Sequence, residues 1–253
     1  MRNAFLSRCY AEPSQWGPDG LIDLDAEESR HLSRVLHARM GDRVDVFDGQ
    51  GRRAEASVLK AGSVIRLQTL NVVVDPLPAV HMRLLLGMPR EAHLDWILQK
   101  GTELGMSELA VFCAEHSIVQ LSEAAAEKKR ARWSRIVRDA AKQSGWNRFP
   151  LITWFPSLEA ALKAPKSPEE CRILLSLAPS AISFREALNR GRALHKRRWT
   201  LCVGPEGDYS PSEMHQLRSV SDYEATLGTC IFRVETAALY ALSVLRHETN
   251  FAE

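Results

Sequence analysis

The amino-acid sequence predicts an α/β protein in two parts, a small N-terminal β-barrel domain followed by a larger domain with a mostly parallel sheet. The first seventy or so residues contain short segments of alternating polar and apolar residues, which is typical of β-strands. From residue 81 onward, apolar runs alternate with patterns of helical spacing, as in folds with parallel sheets. The chain has 253 residues, of which 45% are hydrophobic, so it is long enough to form two cores. We expect the domains to comprise residues 1–74 and 75–253.

A β-hairpin is the clearest element of the N-terminal part. Residues 43–47 and 52–59 alternate in hydrophobicity on either side of DGQG (48–51), a sequence typical of tight turns. Residues 63–69 predict another strand, and the proline-containing segment 72–80 is the expected linker. One helix is expected between the strands, with Asp25 as N-cap, Glu28 three positions later, Leu32, Val35 and Leu36 at helical spacing, and an end before Gly41.

Strands and helices alternate in the predicted C-terminal part. The expected strands are residues 81–88, 109–113, 171–177, 201–203 and 223–227. The expected helices are one carrying Leu94, Ile97, Leu98 and Leu104, one over 122–143, one capped by Ser180 and closed by Gly191, one starting at Ser210, and one over 235–247. The long helix has an apolar stripe of Trp133, Ile136, Val137, Ala140, Ala141 and Ser144, and ends before Gly145. Pro211 and Glu213 predict a capping box at the helix that starts at Ser210.

Composition narrows the class of protein. No run of about 18 apolar residues occurs, so no membrane-spanning helix is expected, and the first ten residues lack the apolar core of a signal peptide. The five cysteines are scattered without a C-x-x-C pair, which favours reduced thiols and a cytoplasmic location. The eight histidines include no H-E-x-x-H motif, so no metal site is predicted.

Basic residues are concentrated in two blocks although the formal net charge is only +2. Residues 128–148 contain eight bases against Asp139, and residues 185–198 contain six bases against Glu186. Such blocks are either solvated helix faces or contacts for a polyanion, most plausibly nucleic acid. The sequence leaves both interpretations open.

Three loops that follow predicted strands are candidates for a binding site, because ligands of open parallel sheets bind beyond the carboxyl ends of the strands. They are LLSLAPS (174–180), VGPEGDYS (203–210) and LGTCIFRVETA (227–237). None contains a dinucleotide-binding or P-loop motif, which disfavours hydride transfer and ATP hydrolysis. Glycines in these loops would let a flat ligand approach the main chain, and Glu206 could accept hydrogen bonds from it. Arg233 and Glu235 are either part of this site or an ion pair that ties the loop to the last helix.

Four ordered motifs resemble those of the SPOUT-type RNA methyltransferases that modify uracil N3 in small-subunit ribosomal RNA. They are RHLSRVLHARMGDRVDVFDGQG (30–51), LDWILQKGTELGM (94–106), KQSGWNRFP (142–150), and G-P-E-G followed by S-x-x-E and L-G-x-x-I-x-R-x-E-T-A (204–237). The resemblance implies a PUA-like β-barrel followed by a SPOUT methyltransferase domain with a C-terminal trefoil knot. It also implies a homodimer that uses S-adenosyl-L-methionine and acts on ribosomal RNA of the small subunit.

The resemblance further implies roles for individual residues. The expected cofactor-binding residues are Leu175, Ser176, Leu177, Gly204, Pro205, Glu206, Gly207, Leu227, Gly228, Ile231, Phe232, Arg233, Glu235, Thr236 and Ala237. The expected RNA-binding residues are His31, Arg34, Arg90, Lys100, Gln143 and Arg148. Because uracil N3 attacks only as its proton leaves, Arg233 and Arg90 are the candidates to stabilise the uracil anion. Glu235 is the candidate proton acceptor.

Several positions depart from the family pattern, most of them where RNA contacts are expected. Asp208 stands where a glycine is usual, Cys230 and Trp146 stand where arginines are common, and Arg30 and His37 differ in the N-terminal motif. These departures keep two alternatives open: a SPOUT enzyme that methylates another RNA position, and a catalytically inactive RNA-binding factor of ribosome assembly. A structural α/β protein without either role is the third alternative.

Overall fold

A five-stranded sheet and a seven-stranded sheet organise the chain in the computed structural model, which describes residues 7–35 and 37–250. The chain divides into a first unit of residues 1–77 with 138–149, and a second unit of residues 78–137 with 150–253. Residues 1–6 and Leu36 lie outside the described residues. The sequence analysis used the former in its signal-peptide argument and Leu36 in its predicted helix. The domain boundary at 74/75 and the trefoil knot stay predictions.

The first unit contains a curled sheet in the order β1-β3-β4-β5-β2, in which only the β1–β3 pair is parallel. Its strands are β1 (Ser7–Tyr10), β2 (Leu21–Asp23), β3 (Arg43–Phe47), β4 (Arg52–Lys60) and β5 (Arg66–Val74). The predicted hairpin is confirmed. The strand predicted at 63–69 begins and ends later, because residues 72–74 pair with residues 52–54 of the long strand β4. The connection to the second unit is therefore shorter than the predicted 72–80.

One short helix interrupts these strands, as predicted. In α1 (Ala26–Arg30) the Asp25 side chain caps the helix by accepting a hydrogen bond from the Glu28 N–H at 2.7 Å. The helix continues as one π-helical turn, His31–Val35. The prediction that it runs almost to Gly41 is wrong, because His37 adopts a left-handed conformation with φ of 51°, which a helix cannot accommodate.

The segment 138–149 belongs to the first unit and packs on the turn of the hairpin. The Gly51 N–H donates to the Asn147 carbonyl at 2.8 Å, and the Phe149 N–H donates to the Gly49 carbonyl at 2.8 Å. The Phe149 ring lies 5.9 Å from that of Phe47 and 5.2 Å from that of Tyr10. Two backbone hydrogen bonds and an aromatic cluster thus fix this segment on the small sheet.

The second unit contains a parallel sheet in the order β10-β12-β9-β11-β6-β7-β8, which confirms the predicted α/β class. Its strands are β6 (His81–Gly87), β7 (Glu108–Phe112), β8 (Leu151–Phe155), β9 (Glu170–Leu175), β10 (Ile182–Ser183), β11 (Arg198–Val203) and β12 (Tyr223–Thr226). The two edge strands, β8 and β10, are the ones that the sequence analysis missed. An edge strand is buried on fewer sides, so its apolar pattern is weaker.

Six helices connect or follow these strands: α2 (Glu91–Glu103), α3 (Glu123–Ser144), α4 (Leu158–Leu162), α5 (Phe184–Ala193), α6 (Pro211–Val220) and α7 (Val234–Asn250). Along α3, Trp133 and Val137 are buried as predicted, but Ser144 is exposed. The prediction for α5 is wrong at both ends. Ser183, not Ser180, caps it by accepting the Glu186 N–H, and Gly191 lies inside the helix against Trp199, where a Cβ would lie 2.5 Å from the ring.

The final helix, α7, is part of the core of the second unit. Ala238, Leu242 and Leu245 are fully buried within this chain, whereas Leu239 is only half-buried. Burial of the apolar stripe therefore needs no second chain to explain it. No helix in the described part of the chain is long and apolar enough to cross a membrane.

Candidate active site

Four neighbouring strands of the parallel sheet, β12, β9, β11 and β6, end at the same edge. The loops that follow β9, β11 and β12 are the three that the sequence analysis selected. The loop that follows β6 leads directly into α2 at Arg90. Because the strands are parallel and adjacent, all four loops converge at one edge of the sheet, where such folds bind ligands.

These loops enclose a cavity of about 560 Å³, a volume typical of small-molecule sites. Its lining residues are Arg90, His93, Leu175, Ser176, Leu177, Val203, Gly204, Pro205, Glu206, Asp208, Met214, Leu227, Cys230, Ile231, Phe232, Arg233, Val234 and Ala237. Every one of the four loops contributes to this lining. Large apolar side chains and a few charged groups therefore face one cavity that is partly open to solvent.

The GPEG loop is fixed to the beginning of α2. Glu206 Oε1 accepts a hydrogen bond from the Arg90 N–H at 3.0 Å and lies 2.8 Å from His93 Nδ1. Pro205 packs on Gly87 at the end of β6, where a Cβ would lie 2.6 Å from Pro205 Cδ. The sequence analysis predicted that Glu206 binds a ligand. In the structure its carboxylate accepts a hydrogen bond from the backbone at the start of α2.

The Glu206 carboxylate is stabilised in its ionised form. Burial would raise the pKa of Glu206, but hydrogen bonds from the Arg90 N–H, from its own backbone and from His93 lower the pKa below its usual value. A carboxylate at a helix N-terminus is also favoured by the helix dipole. Glu206 is consequently negative at neutral pH.

His93 lies between two carboxylates, and the sequence analysis did not identify it. Its Nδ1 is 2.8 Å from Glu206 Oε1 and 3.5 Å from Glu235 Oε2. Glu235 Oε2 is buried and makes no hydrogen bond within the described structure. Only the order of the strands brings the start of α2 beside the GPEG loop and the start of α7, so no local sequence pattern identifies His93.

Arg90 and Arg233 both reach the cavity with unpaired guanidinium groups. Among residues 7–35 and 37–250, neither side chain makes a hydrogen bond or an ion pair. The alternative that Arg233 and Glu235 form an ion pair is therefore wrong. Two positive groups are left available to a ligand in the same cavity.

Two backbone positions in the loops have left-handed conformations. Gly228 has φ of 130°, with open space where a Cβ would be, and Asp208 has φ of 60°. Glycine adopts such a conformation without cost, which agrees with the glycine that the resemblance implies at position 208. Here Asp208 Oδ1 accepts a hydrogen bond from the Tyr209 N–H at 2.8 Å, a local interaction that helps aspartate to tolerate this region.

The predicted cofactor-binding residues fall into two groups. The cavity is lined by Leu175, Ser176, Leu177, Gly204, Pro205, Glu206, Leu227, Ile231, Phe232, Arg233 and Ala237. Gly207, Gly228, Glu235 and Thr236 are not among the lining residues. Gly207 instead packs on the backbone at His116, since a Cβ there would lie 2.6 Å from the His116 carbonyl oxygen. The sequence analysis did not give a role to six lining residues, His93, Val203, Asp208, Met214, Cys230 and Val234, although all but His93 and Met214 lie in the loops that it selected.

Of the predicted RNA-binding residues, only Arg90 lines this cavity. Lys100 pairs with Glu103 at 2.8 Å. Arg148 donates to the Gln50 and Asp75 carbonyls, the latter at 2.6 Å, which gives it a role in holding the hairpin turn.

A second cavity lies within the first unit, and Gln143 contributes to it. It has a volume of about 620 Å³ and is lined by Arg8, Asp45, Arg53, Ala54, Glu55, Asn71, Val73, Lys142, Gln143, Ser144 and Gly145. Acidic and basic groups alternate here, and the Arg8 and Asp45 side chains form an ion pair at 3.3 Å. His31 and Arg34 lie on the π-helical turn and are not part of its lining.

Metal ligands and reactive thiols are sparse in the part of the chain that the structure describes. No group of three or more His, Cys, Asp or Glu side chains there could hold a metal ion. All five cysteines are free, four of them buried and Cys230 exposed. Burial raises the pKa of Cys171 and of Cys202 to about 12, so neither is a reactive thiolate.

Comparison with known families gives two matches along the chain. Residues 75–246 match the family described as RNA methyltransferase domain, and residues 24–65 match the family described as RNA methyltransferase PUA domain. Among curated proteins, the chain is 30% identical over 241 residues to the ribosomal RNA small subunit methyltransferase E of Bacillus subtilis, covering 90% of this chain and 91% of that protein. It is 25% identical to the protein of the same name from Mycobacterium bovis, covering 88% and 84%.

Solved structures show the same fold. The ribosomal RNA small subunit methyltransferase E of Neisseria gonorrhoeae, bound to S-adenosyl methionine, superposes with a TM-score of 0.79 at 28% identity, covering 96% of this chain and 97% of that one. A methyltransferase from Legionella pneumophila in complex with S-adenosyl methionine gives a TM-score of 0.82 at 24% identity, with 96% and 97% coverage. The two-part architecture is shared over nearly the whole length.

Proposed function

We propose that this chain, which belongs to the RNA methyltransferase family of the ribosomal RNA small subunit methyltransferases E, methylates N3 of a uridine in small-subunit ribosomal RNA with S-adenosyl-L-methionine as methyl donor. The family match supports the reaction class and the RNA substrate. The specific atom and nucleotide rest on the resemblance of the sequence motifs and on the chemistry of the cavity.

The cavity suits an amphipathic nucleoside. Leu227, Ile231 and Phe232 offer apolar surface for a purine ring, and Gly204 exposes backbone groups that can hydrogen-bond to it. The buried Glu235 Oε2, 3.5 Å from His93 Nδ1, makes no hydrogen bond within the described structure, so it can still accept one beside the cavity. When bound, S-adenosyl-L-methionine supplies an electrophilic methyl group on a sulfonium.

The two unpaired arginines account for activation of the base. Uracil N3 carries a proton and becomes nucleophilic only as that proton leaves. A positive charge close to the pyrimidine favours its anionic form. Arg90 at the start of α2 and Arg233 just before α7 provide that charge.

One observation carries this proposal above the others: two guanidinium groups without partners in the described structure share a cavity with bare backbone from three strand-end loops. Both arginines are exposed, so their charges are hydrated in the free protein and available to a ligand. Two such charges in one cavity favour a ligand that is negative or becomes negative during the reaction.

Mass spectrometry of ribosomal RNA tests the target. RNA from cells that contain the gene is compared with RNA from cells in which it is deleted, and the deletion is complemented by the wild-type gene. We expect one 3-methyluridine in the small-subunit RNA to disappear on deletion and to return on complementation. An unchanged 3-methyluridine content would show that another position is modified.

A catalytically inactive assembly factor is the second candidate, because Asp208 and Cys230, the two departures in the cofactor loops, both line the cavity. Titration calorimetry with S-adenosyl-L-methionine separates it from the enzyme. Binding with a Kd below about a millimolar supports the enzyme, and the absence of heat at millimolar cofactor supports the assembly factor.

A homodimer in the cytoplasm completes the proposal. Leu177 and Ile231 at the rim of the cavity are 61% and 80% exposed, and Tyr240 on α7 is also exposed. Such neighbouring apolar groups commonly mark an interface. Light scattering of the purified protein should give twice the mass of the 28.4 kDa chain. The free cysteines agree with a reducing compartment.

A further inference from the structure

We infer that His93 is the base that removes the N3 proton of the target uridine, and that Glu206 holds its ring in the tautomer required. This inference rests on the proposed function and adds a residue to it. His93 lines the cavity and is 24% exposed at its side chain, so it can contact a bound base while remaining fixed by the protein.

The tautomer follows from the partners of His93. Nδ1 faces two carboxylate oxygens, Glu206 Oε1 at 2.8 Å and Glu235 Oε2 at 3.5 Å. Ionised carboxylates only accept hydrogen bonds, so Nδ1 must carry the proton that is shared with Glu206. In the neutral ring, the lone pair is then on Nε2.

Nε2 is free to act on a ligand. It makes no hydrogen bond within residues 7–35 and 37–250. His93 lines the cavity, and an imidazole with one nitrogen bonded to a carboxylate and the other left unbonded is a common arrangement for a general base. The Glu206 carboxylate is itself fixed by the Arg90 N–H at 3.0 Å, which keeps the pair in one orientation.

The carboxylates of the cavity are weaker candidates for this role. An ordinary carboxyl group has a pKa near 4, about two units below that of an ordinary histidine, and removing a proton from uracil requires the stronger base. Hydrogen bonds hold the pKa of Glu206 below its usual value. Glu235 Oε2 is buried, and Asp208 accepts the hydrogen bond of Tyr209.

Charged groups from three elements lie around His93. They are Glu206 and Asp208 from the loop after β11, Arg233 and Glu235 from the start of α7, and Arg90 from the start of its own helix. The role of a general base requires the ring to take up one proton during the reaction and to return it afterwards.

The step moves one proton and one methyl group. His93 Nε2 takes the N3 proton and becomes an imidazolium, which Glu206 stabilises through Nδ1–H. The electron pair left on N3 forms the new N–C bond to the methyl carbon, and the breaking C–S bond leaves its pair on sulfur. The products are 3-methyluridine and S-adenosylhomocysteine, and His93 returns its proton to water.

Two variants of His93 distinguish a catalytic base from a residue that only holds the loop in place. His93→Asn keeps an N–H donor close to the position of Nδ1, so it can still bond to Glu206, but it has no base at the position of Nε2. His93→Ala removes both and leaves space for exogenous imidazole. His215→Gln, an exposed histidine of α6, is the matched control.

Methylation of small-subunit particles is measured by mass spectrometry under single-turnover conditions between pH 5.5 and 9. We expect His93→Asn to lower the rate at least about a hundredfold, to lose the fall in rate at acidic pH, and to bind S-adenosyl-L-methionine within twofold of wild type. Imidazole should restore part of the rate of His93→Ala. Wild-type-like rates in His93→Asn, or an unchanged pH profile, would overturn the inference.

Nitrogen NMR of the protein with labelled histidine gives a readout that does not depend on turnover. The His93 ring, assigned by its loss in His93→Asn, should show the Nδ1–H tautomer, and Glu206→Ala should reduce that preference. An Nε2–H tautomer in the wild-type protein would overturn the inference. A wild-type enzyme that makes no 3-methyluridine would instead contradict the proposed function itself.

Discussion

At the scale of single residues, the sequence suggests two roles for Arg233, cofactor binding and stabilisation of the uracil anion. Its guanidinium lines the cavity without a partner in the described structure, so its charge is available to a ligand and not neutralised by the protein. The two roles predict different outcomes on removal of the side chain. Loss of affinity indicates the first role, and loss of rate indicates the second.

We predict that Arg233→Ala lowers the rate of methyl transfer by about 10²–10³-fold, the effect of removing one electrostatic stabiliser of a developing anion. Affinity for S-adenosyl-L-methionine, measured by calorimetry, should change by less than about fivefold. Arg197→Ala, at an exposed arginine of the second basic block, is the control. Turnover unchanged in Arg233→Ala would remove this residue from the chemistry.

Cys230 should be the one cysteine that reacts quickly with a thiol reagent near pH 8. Burial raises the pKa of Cys171 and of Cys202 to about 12, so both stay protonated and shielded, and Cys9 and Cys113 are also buried. Cys230 is exposed and lines the cavity. We therefore predict one fast equivalent, slowed by S-adenosyl-L-methionine and absent in Cys230→Ser. Several fast equivalents would show that the core opens readily.

Glu206 predicts a pH dependence of stability with a defined sign. Its pKa is lower in the folded protein than its usual value, so its contribution is fully present above the ordinary glutamate pKa and is lost as pH falls through the folded value. Urea unfolding at pH 7, 5 and 3.5 should show wild type more stable than Glu206→Gln at pH 7, with the gap closing toward pH 3.5. A gap that is constant with pH would contradict the prediction.

At the scale of elements, local signals were sufficient where a short stretch determines its own structure. The capping box at Ser210 and Glu213, the cap at Asp25 and the DGQG hairpin are all present as predicted. Each depends on side chains and backbone within a few residues. Elements whose limits depend on a distant partner were predicted less well, such as β5, whose end is set by pairing with β4.

The same distinction explains the errors at α5. The sequence analysis chose Ser180 as the cap, but residues 182–183 form β10, which pairs with β12, and the helix begins directly after it with Ser183 as its cap. Gly191 has the residue type of a helix terminator, but Trp199 of β11 needs its missing side chain. Packing against a neighbouring strand thus overrides a local signal in both cases.

The capping box of α6 also binds the backbone that follows β7, and two variants should show this second contribution. Glu213 accepts the Ser210 N–H at 2.9 Å and also the Glu115 N–H beyond β7 at 3.0 Å. We predict that Ser210→Ala costs about 1 kcal/mol of stability, and that Glu213→Ala costs more because it leaves two backbone donors unpaired, of which that of Ser210 belongs to a buried residue. Thermal denaturation measures both, with the exposed Ser212→Ala as control. Equal effects would show that the bond to Glu115 adds nothing.

At the scale of the whole molecule, the sequence predicted the loops of the site but not their arrangement. The order β12-β9-β11-β6 places the three selected loops beside one another and adds the start of α2 as a fourth wall. His93 enters the site only through that order. The assignment of residues 138–149 to the first unit likewise depends on hydrogen bonds to Gly49 and Gly51, which no local pattern reveals.

The two basic blocks illustrate how pairing alters what composition suggests. Most of their charges lie next to acidic groups or carbonyls: Lys129 and Arg132 with Glu91, Arg132 with Asp95, Arg130 with Glu127, Arg138 with Glu27, Lys142 with Glu28, Arg190 with Glu186, Arg192 with Glu248, and Lys196 with the Pro168 carbonyl. A paired charge attracts a distant phosphate weakly because the opposite charge of its acidic partner offsets its field, and salt screens what is left beyond about 8 Å. The interpretation as solvated, internally paired helix faces is therefore favoured for much of both blocks.

This pairing predicts a shallow salt dependence of RNA binding. If about three to five cations contact phosphates of single-stranded RNA, the slope of log K against log salt concentration should be about −2 to −4, whereas all fourteen bases of the two blocks would give about −10. Fluorescence anisotropy between 50 and 300 mM KCl measures the slope. Glu91→Gln, which releases Lys129 while Arg132 keeps Asp95, should tighten binding at low salt and steepen the slope by about one. A wild-type slope steeper than about −8 would mean that RNA displaces the acidic partners, and the two blocks would then form the main RNA-binding surface after all.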